Sequence, residues 1–267
     1  MQEIRLEAFL ELEKGENMCR TLLLVSMISL ACLTHAQLLY HRNPDPNVPP
    51  TAVQLKRSVV SLELQCVDGN SFVTESGTGF LVAYNDSRLT QGRAFQYLAT
   101  NRHVAECWDE RGHPRRVRSL IIRANAVNGD SRRMPANPAE WHFPTDESVD
   151  LAVMPVLMPD GLQITLFPVE TFATDDFIRT NAIAEGSPIL LAGYFYQLPG
   201  ERRLQSIVRQ GILAMVPDEP VMTTTNHLGT VYLCDAHIFG GNSGSPVLAT
   251  PERVKAFFRD PKVAYAA

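Results

Sequence analysis

A serine framed by glycines, in the run Gly-Asn-Ser-Gly-Ser-Pro from Gly241 to Pro246, constrains this chain more than any other segment. Residues without a Cβ let the backbone turn sharply around Ser243, admit another molecule closely and leave main-chain N–H groups bare. Bare amides beside a hydroxyl are what a developing oxyanion requires. Taken alone, the run reads equally well as a tight turn leading into the apolar Val247 and Leu248. Two upstream segments decide between those readings.

The first is Tyr97 to Glu106, an apolar strand-like stretch that stops at Thr100-Asn101 and then presents His103. Thr100 is placed to cap a short helical turn that holds His103 at its start. The second is Ser148 to Met154, where Asp150 precedes an unbroken apolar run and so sits at the edge of a core. In chain order these give His, Asp, Ser. Because the same chemistry recurs on unrelated folds with different residue orders, the order itself is informative. An α/β-hydrolase needs its histidine after the serine, and no histidine follows His237; Ser245 also stands where the last glycine of that fold's elbow would be. A subtilisin-like order needs an aspartate ahead of His103, and Asp45, Asp68 and Asp86 all lie in polar, loop-like sequence.

With His-Asp-Ser remaining, the chain resembles the chymotrypsin-like (trypsin-like) serine peptidases of the bacterial kind. Ser76 to Val82 is similar to the strand preceding the family's histidine, Leu98 to Val104 to its histidine box, Val149 to Val153 to its aspartate box and Gly241 to Pro246 to its serine box. Leu190 to Tyr194 and Val208 to Ile212 fall where bacterial members carry Gly-containing strands. The resemblance implies an all-β fold of two six-stranded antiparallel β-barrels with the site between them. It implies His103, Asp150 and Ser243 as the catalytic residues and the backbone N–H groups of Gly241 and Ser243 as the oxyanion hole. It also places the base of the specificity pocket at His237, six residues before the nucleophile. With no acidic residue there, a preference for Arg or Lys is not expected; a small or hydrophobic side chain, or an acidic one read by His237, are the options. Asn242 stands where animal digestive members carry an aspartate, and an amide cannot pair with a freed N-terminus, so activation by N-terminal insertion is not expected. Arg102 stands where many members have a small residue. The implied activity is a secreted serine endopeptidase working through an acyl-enzyme on protein or peptide substrates, with a non-catalytic protease-like binding domain as the alternative.

Short β-rich runs support the all-β reading independently: Ser58 to Val67, Gly79 to Tyr84, Ser119 to Arg123, Pro188 to Tyr194 and Thr230 to Cys234 are separated by Gly, Pro, Asn and Asp. No long helical periodicity follows residue 37. Asp160-Gly161 reads as a turn after Pro155 and Pro159 close the aspartate strand. The expected organisation is a leader over 1–36, a proline-rich linker over 37–57, an N-terminal barrel over 58–165 and a C-terminal barrel over 166–267. Few residues follow Ser243, and Pro251 to Ala267 matches no expected strand, so the second barrel is expected to be incomplete.

Hydrophobic residues make up 45% of the 267, enough for a sizeable core, and the net charge of −5 gives no footprint for nucleic acid. Met18-Cys19-Arg20, the apolar Leu22 to Leu33 and Thr34-His35-Ala36 have the form of a secretory signal, too short for a membrane span. Residues 1–17 carry five Glu, which is wrong for the front of a signal and points to a start at Met18. The expected location is secreted or periplasmic, which permits disulfides. Of the cysteines beyond the leader, Cys66 with Cys107 is the expected pair, against the alternative of three free thiols. The remaining histidines show no ligand spacing, so neither metal nor cofactor is expected.

Overall fold

The computed structural model describes residues 51–249 apart from 87, 90–93, 198–199 and 224–226, together with the backbone of two short strands, β1 (Gln2–Arg5) and β2 (Met27–Ser29). The expected signal and start at Met18 otherwise lie outside the described residues, as does the tail from 250 onward.

Two sheets carry the molecule. The first is built from β3 (Val59–Asp68), β4 (Ser71–Tyr84), β5 (Phe95–Thr100), β6 (Val117–Asn125), β7 (Ser131–Ala136) and β8 (Ala152–Pro155), in the order β7-β6-β3-β4-β5-β8. Its alternation is legible in the side chains: Val60, Leu62, Leu64 and Cys66 of β3 and Leu120, Ile122 and Ala124 of β6 are buried, while the residues between them are more exposed. The long β4 pairs with β3 throughout its first ten residues and with β5 from Phe80 onward, so one strand serves two partners as the sheet coils. A two-bond bridge between His142 and Val153 brings the chain after β7 back to β8.

The second sheet uses β10 (Pro188–Tyr194), β11 (Ser206–Met215), β14 (Val231–Ala236) and β15 (Val247–Ala249), ordered β14-β11-β10-β15 and antiparallel throughout. β1 pairs antiparallel with β14 at one side and β2 parallel with β15 at the other. A small ribbon, β12 (Val221–Met222) with β13 (Leu228–Gly229), stands apart. Between the sheets lies a shared core in which Val59, Phe80 and Val82 of the first meet Ala192, Tyr194 and Leu248 of the second. This seam fixes the relative position of everything described below.

Two boundaries differ from the sequence expectation. Thr51–Ser58, inside the segment expected as linker, is a helix, α1, because Leu55 is an apolar anchor that buries in the seam, leaving only 2% of its surface exposed. Phe167–Pro168, beyond the expected end of the first unit, forms β9 and pairs parallel with Val82 and Ala83 of β4, where Phe167 packs edge-on against Phe80. The other helices are short: α2 (Arg102–Ala105) and α3 (Asp175–Thr180), the latter capped by the Thr174 hydroxyl accepting from Phe177 N–H. No described helix is long and apolar enough to cross a membrane.

Candidate active site

β5 delivers the histidine. The strand runs through Thr100, whose hydroxyl donates to Thr78 O at 2.7 Å. Thr100 therefore does not cap α2 as the sequence suggested: its side chain is committed across the sheet to β4, and Asn101 occupies the N-cap position. Asn101 makes no capping bond either, because both ends of its amide are used elsewhere. Its Nδ2 donates to Asp150 O at 3.0 Å, and its Oδ1 accepts from Gly244 N. One side chain thus ties the aspartate segment and the serine loop to the residue two before His103.

Asp150 holds His103 at two points. One carboxylate oxygen accepts from the His103 backbone N–H at 2.9 Å, and the other meets Nδ1 at 2.6 Å. With Nδ1–H donating to a carboxylate, Nε2 is left as the acceptor, the tautomer that can take up a proton. The Asp150 side chain is 17% exposed and that of His103 36%, so the carboxylate is the more enclosed partner. Burial of the imidazole disfavours its charge, but the hydrogen bond and negative charge of Asp150 outweigh this and hold the His103 pKa above its ordinary 6.5.

The serine loop is organised differently. Gly241 (φ +99°) and Gly244 (φ +84°) occupy the left-handed region on either side of Ser243. At Gly244 a side chain has no room, since a Cβ would run into Thr78 O and Thr100 Oγ1. Thr78, fully buried on β4, is the hub: its N–H donates to Ser243 O at 2.9 Å, its hydroxyl donates to Gly241 O at 2.7 Å, and the same oxygen accepts from Tyr194 N at 2.9 Å. Asn242 is buried and donates from Nδ2 to Tyr194 O at 2.8 Å, a neutral bond. Among the described residues the N–H groups of Gly241 and Ser243 have no acceptor, and no hydrogen bond joins the Ser243 hydroxyl to His103. The three expected residues are therefore brought into one neighbourhood, with the His103–Asp150 bond made and the hydroxyl uncommitted.

Around this centre, Cys66 of β3 and Cys107 beyond α2 are joined by a disulfide. It lies beside Trp108, whose ring is 6.5 Å from that of His103 and whose Nε1 donates to Glu106 at 2.7 Å. Glu106 also pairs with Arg102 at 2.9 Å, and the guanidinium lies over Phe143, so the charge next to the histidine is neutralised within its own turn. Cys234 is a buried free thiol whose pKa burial pushes up to about 12, which leaves it inert. His237 is exposed at the end of β14. Two residues on, Phe239 stacks with Phe195 at 5.3 Å and beneath Arg209 at 4.7 Å. No group of side chains suited to a metal ion occurs among the described residues.

Sequence reasoning did not single out Thr78, Asn101 or Trp108. The available signal was polar residues in places where a strand needs none: a threonine between Gly77 and Gly79, and an asparagine wedged between strand and histidine.

Comparison with known proteins gives the family. Residues 77–255, more than half of the chain, match the family model described as a trypsin-like peptidase domain. No curated protein matches the chain. The crystal structure of Deg5 is similar with a TM-score of 0.46 at 17% identity, over 73% of this chain and 76% of that one. The HtrA-type protease AlgW, solved with a tripeptide, gives 0.46 at 19% over 75% of this chain and 51% of its own, so the chain spans about half of that protein. The MamO protease domain from Magnetospirillum magneticum gives 0.43 at 15%, over 73% and 80% respectively. These structural likenesses are weak, and the family model carries the assignment: the chain belongs to the trypsin-like peptidase family.

Proposed function

We propose that this peptidase is a serine endopeptidase whose catalytic residues are Ser243, His103 and Asp150. The observation that carries the reading is the double grip of Asp150 on His103, which leaves Nε2 as the proton acceptor while Asn101 ties the serine loop to the same turn. In the proposed reaction the Ser243 hydroxyl attacks the scissile carbonyl as His103 Nε2 takes its proton, and Asp150 stabilises the imidazolium that results. The N–H groups of Gly241 and Ser243 receive the oxyanion, each donor contributing about 3 kcal/mol by analogy with other oxyanion holes. His103 then returns its proton to the leaving amine, and water, activated by the same imidazole, releases the acyl group. Export to an oxidising compartment, secreted or periplasmic, is part of the proposal, supported by the Cys66–Cys107 disulfide and the signal-like sequence.

The missing bond between the hydroxyl and the imidazole favours a second reading, a protease-like domain that binds without cleaving. Hydrogen bonds of this kind often tighten only with substrate bound. A fluorophosphonate probe separates the two readings. Covalent labelling at Ser243 that is lost in His103→Ala supports the enzyme; folded protein that resists the probe at every pH supports the binder.

A further inference from the structure

At the seam, α1, the end of β6 and the segment leading into β11 line an open cavity of about 230 Å³. Its walls include Lys56 and Arg57 from α1, Asn125 and Gln163 from the side of the first sheet, and Tyr194 and Arg203 from the side of the second. Three cations thus converge from both sides of the seam. Among the described residues none of the three has a carboxylate partner: Arg203 donates only to the neutral Gln163 amide, and Lys56 and Arg57 make no ion pair. Two other polar side chains are tied into the walls: Asn125 accepts from Leu204 N at 2.9 Å and donates to Leu204 O at 3.0 Å, and the Tyr194 hydroxyl donates to Val59 O at 3.2 Å. A cavity lined by three cations that no carboxylate among the described residues neutralises has the donors and the charge to take up a compact anion.

We propose that this cavity binds a small multivalent oxyanion of the phosphate or sulfate class, held by Lys56, Arg57 and Arg203, and that the bound ion clamps the two sheets together. The volume suits an ion with a few attached atoms and excludes a polymer chain. None of Lys56, Arg57 and Arg203 takes part in the proposed reaction, so the site can be tested without any turnover.

Thermal unfolding of the full chain is followed while inorganic phosphate replaces chloride at constant ionic strength. A true site gives a rise in Tm that saturates at about 10 mM or below, whereas general exclusion of phosphate from protein surface grows steadily with concentration. Sulfate and glycerol phosphate form parallel arms: saturation with the free ions alone assigns the site to inorganic anions, and saturation with the ester as well assigns it to phosphomonoesters. Arg203→Gln combined with Lys56→Gln should abolish the saturable component, and Arg203→Lys should retain part of it. Should the double variant not fold, Arg57→Gln alone should weaken apparent affinity at least about tenfold, as expected for the loss of one of three charge-assisted contacts. A strictly linear response in all three arms, or saturation unchanged in the variants, overturns the proposal.

Discussion

His103, in the turn that follows β5, and Asp150, just ahead of β8, are carried by the first sheet and are joined to each other, side chain to side chain and side chain to backbone. The Ser243 loop, entered from the second sheet, is held by Thr78 and Asn101 and by the bond of its own Asn242 to Tyr194 O, while among the described residues its hydroxyl and the N–H groups of Gly241 and Ser243 have no hydrogen-bond partner. One half has spent its hydrogen-bonding capacity internally; the other keeps its capacity for an incoming molecule. If Ser243, His103 and Asp150 act as proposed, this division sets one side for acid–base work and the other for receiving charge, as electrostatic preorganisation asks. It also means that the two halves should fail differently when damaged, the first in rate and the second in both rate and stability.

The sharpest test lies in the first half. Asp150→Asn keeps the size of the side chain but presents a donor to Nδ1, which turns the imidazole to the wrong tautomer. Peptide hydrolysis or probe labelling should slow by roughly ten-thousand-fold with unfolding little changed. A loss of under tenfold would remove Asp150 from the mechanism. The pH profile refines the same point. The neutral imidazole is the base, so the rate should climb with pH through a limb above 6.5, where the carboxylate holds the His103 pKa. The link to stability runs in the opposite direction. A folded pKa raised above the unfolded one gives a contribution fully present below pH 6.5, which disappears as pH rises through the folded value. A limb below 6.5 would show that burial, rather than Asp150, dominates the imidazole.

The second half should break as structure. Gly244→Ala places a Cβ against Thr78 O and Thr100 Oγ1 at a φ of +84° that alanine resists, so urea unfolding should show a loss of about 3 kcal/mol along with lost labelling. Asn242→Ala leaves the buried Tyr194 carbonyl without its donor and should cost about 1–3 kcal/mol. Asn242→Asp is more telling than alanine, because at neutral pH it turns an acceptor toward that carbonyl. It should be at least as unstable as Asn242→Ala at pH 7 and recover toward pH 4. Stability equal to wild type would mean that the loop is held by Thr78 and Asn101 without Asn242.

These two halves were also unequally legible in the sequence. Glycines around Ser243, an apolar run ending before His103 and one starting after Asp150 are local signals, and of the residues they single out His103 and Asp150 are hydrogen-bonded to each other. The strand at Pro188–Tyr194 was read to its ends and that at Val59–Asp68 within a residue, because alternation or apolar runs bounded by turn residues mark such strands. What stayed hidden was whatever depends on a partner distant in sequence. Thr100 looked like a cap because capping is local, yet its hydroxyl bonds to Thr78 across the sheet. Asn101 bridges to Asp150 and Gly244, and β7 (Ser131–Ala136), rich in arginine and carrying Pro135, becomes a strand only by pairing with β6. α1 escaped notice for a related reason: its eight residues show one apolar anchor, and only the seam gives Leu55 somewhere to go.

The smallest expected effect comes from a pair whose geometry resembles that of His103 and Asp150. Arg202 meets Asp130 at 2.8 Å, close to the 2.6 Å of the site, but the two side chains are 81% and 49% exposed. Water and salt screen such a pair, and two long side chains lose freedom in forming it, so distance alone says little about its worth. Arg202→Gln should therefore shift stability by no more than about 0.5 kcal/mol, with the residual difference vanishing at high salt. A loss several times larger would show that the loop carrying Arg202, whose carbonyl accepts from Ser131 N at 2.8 Å, relies on the ion pair to hold the two sheets in register. The rigidity ascribed to enclosed groups such as Asp150 would then have to be shared with the exposed surface of the seam.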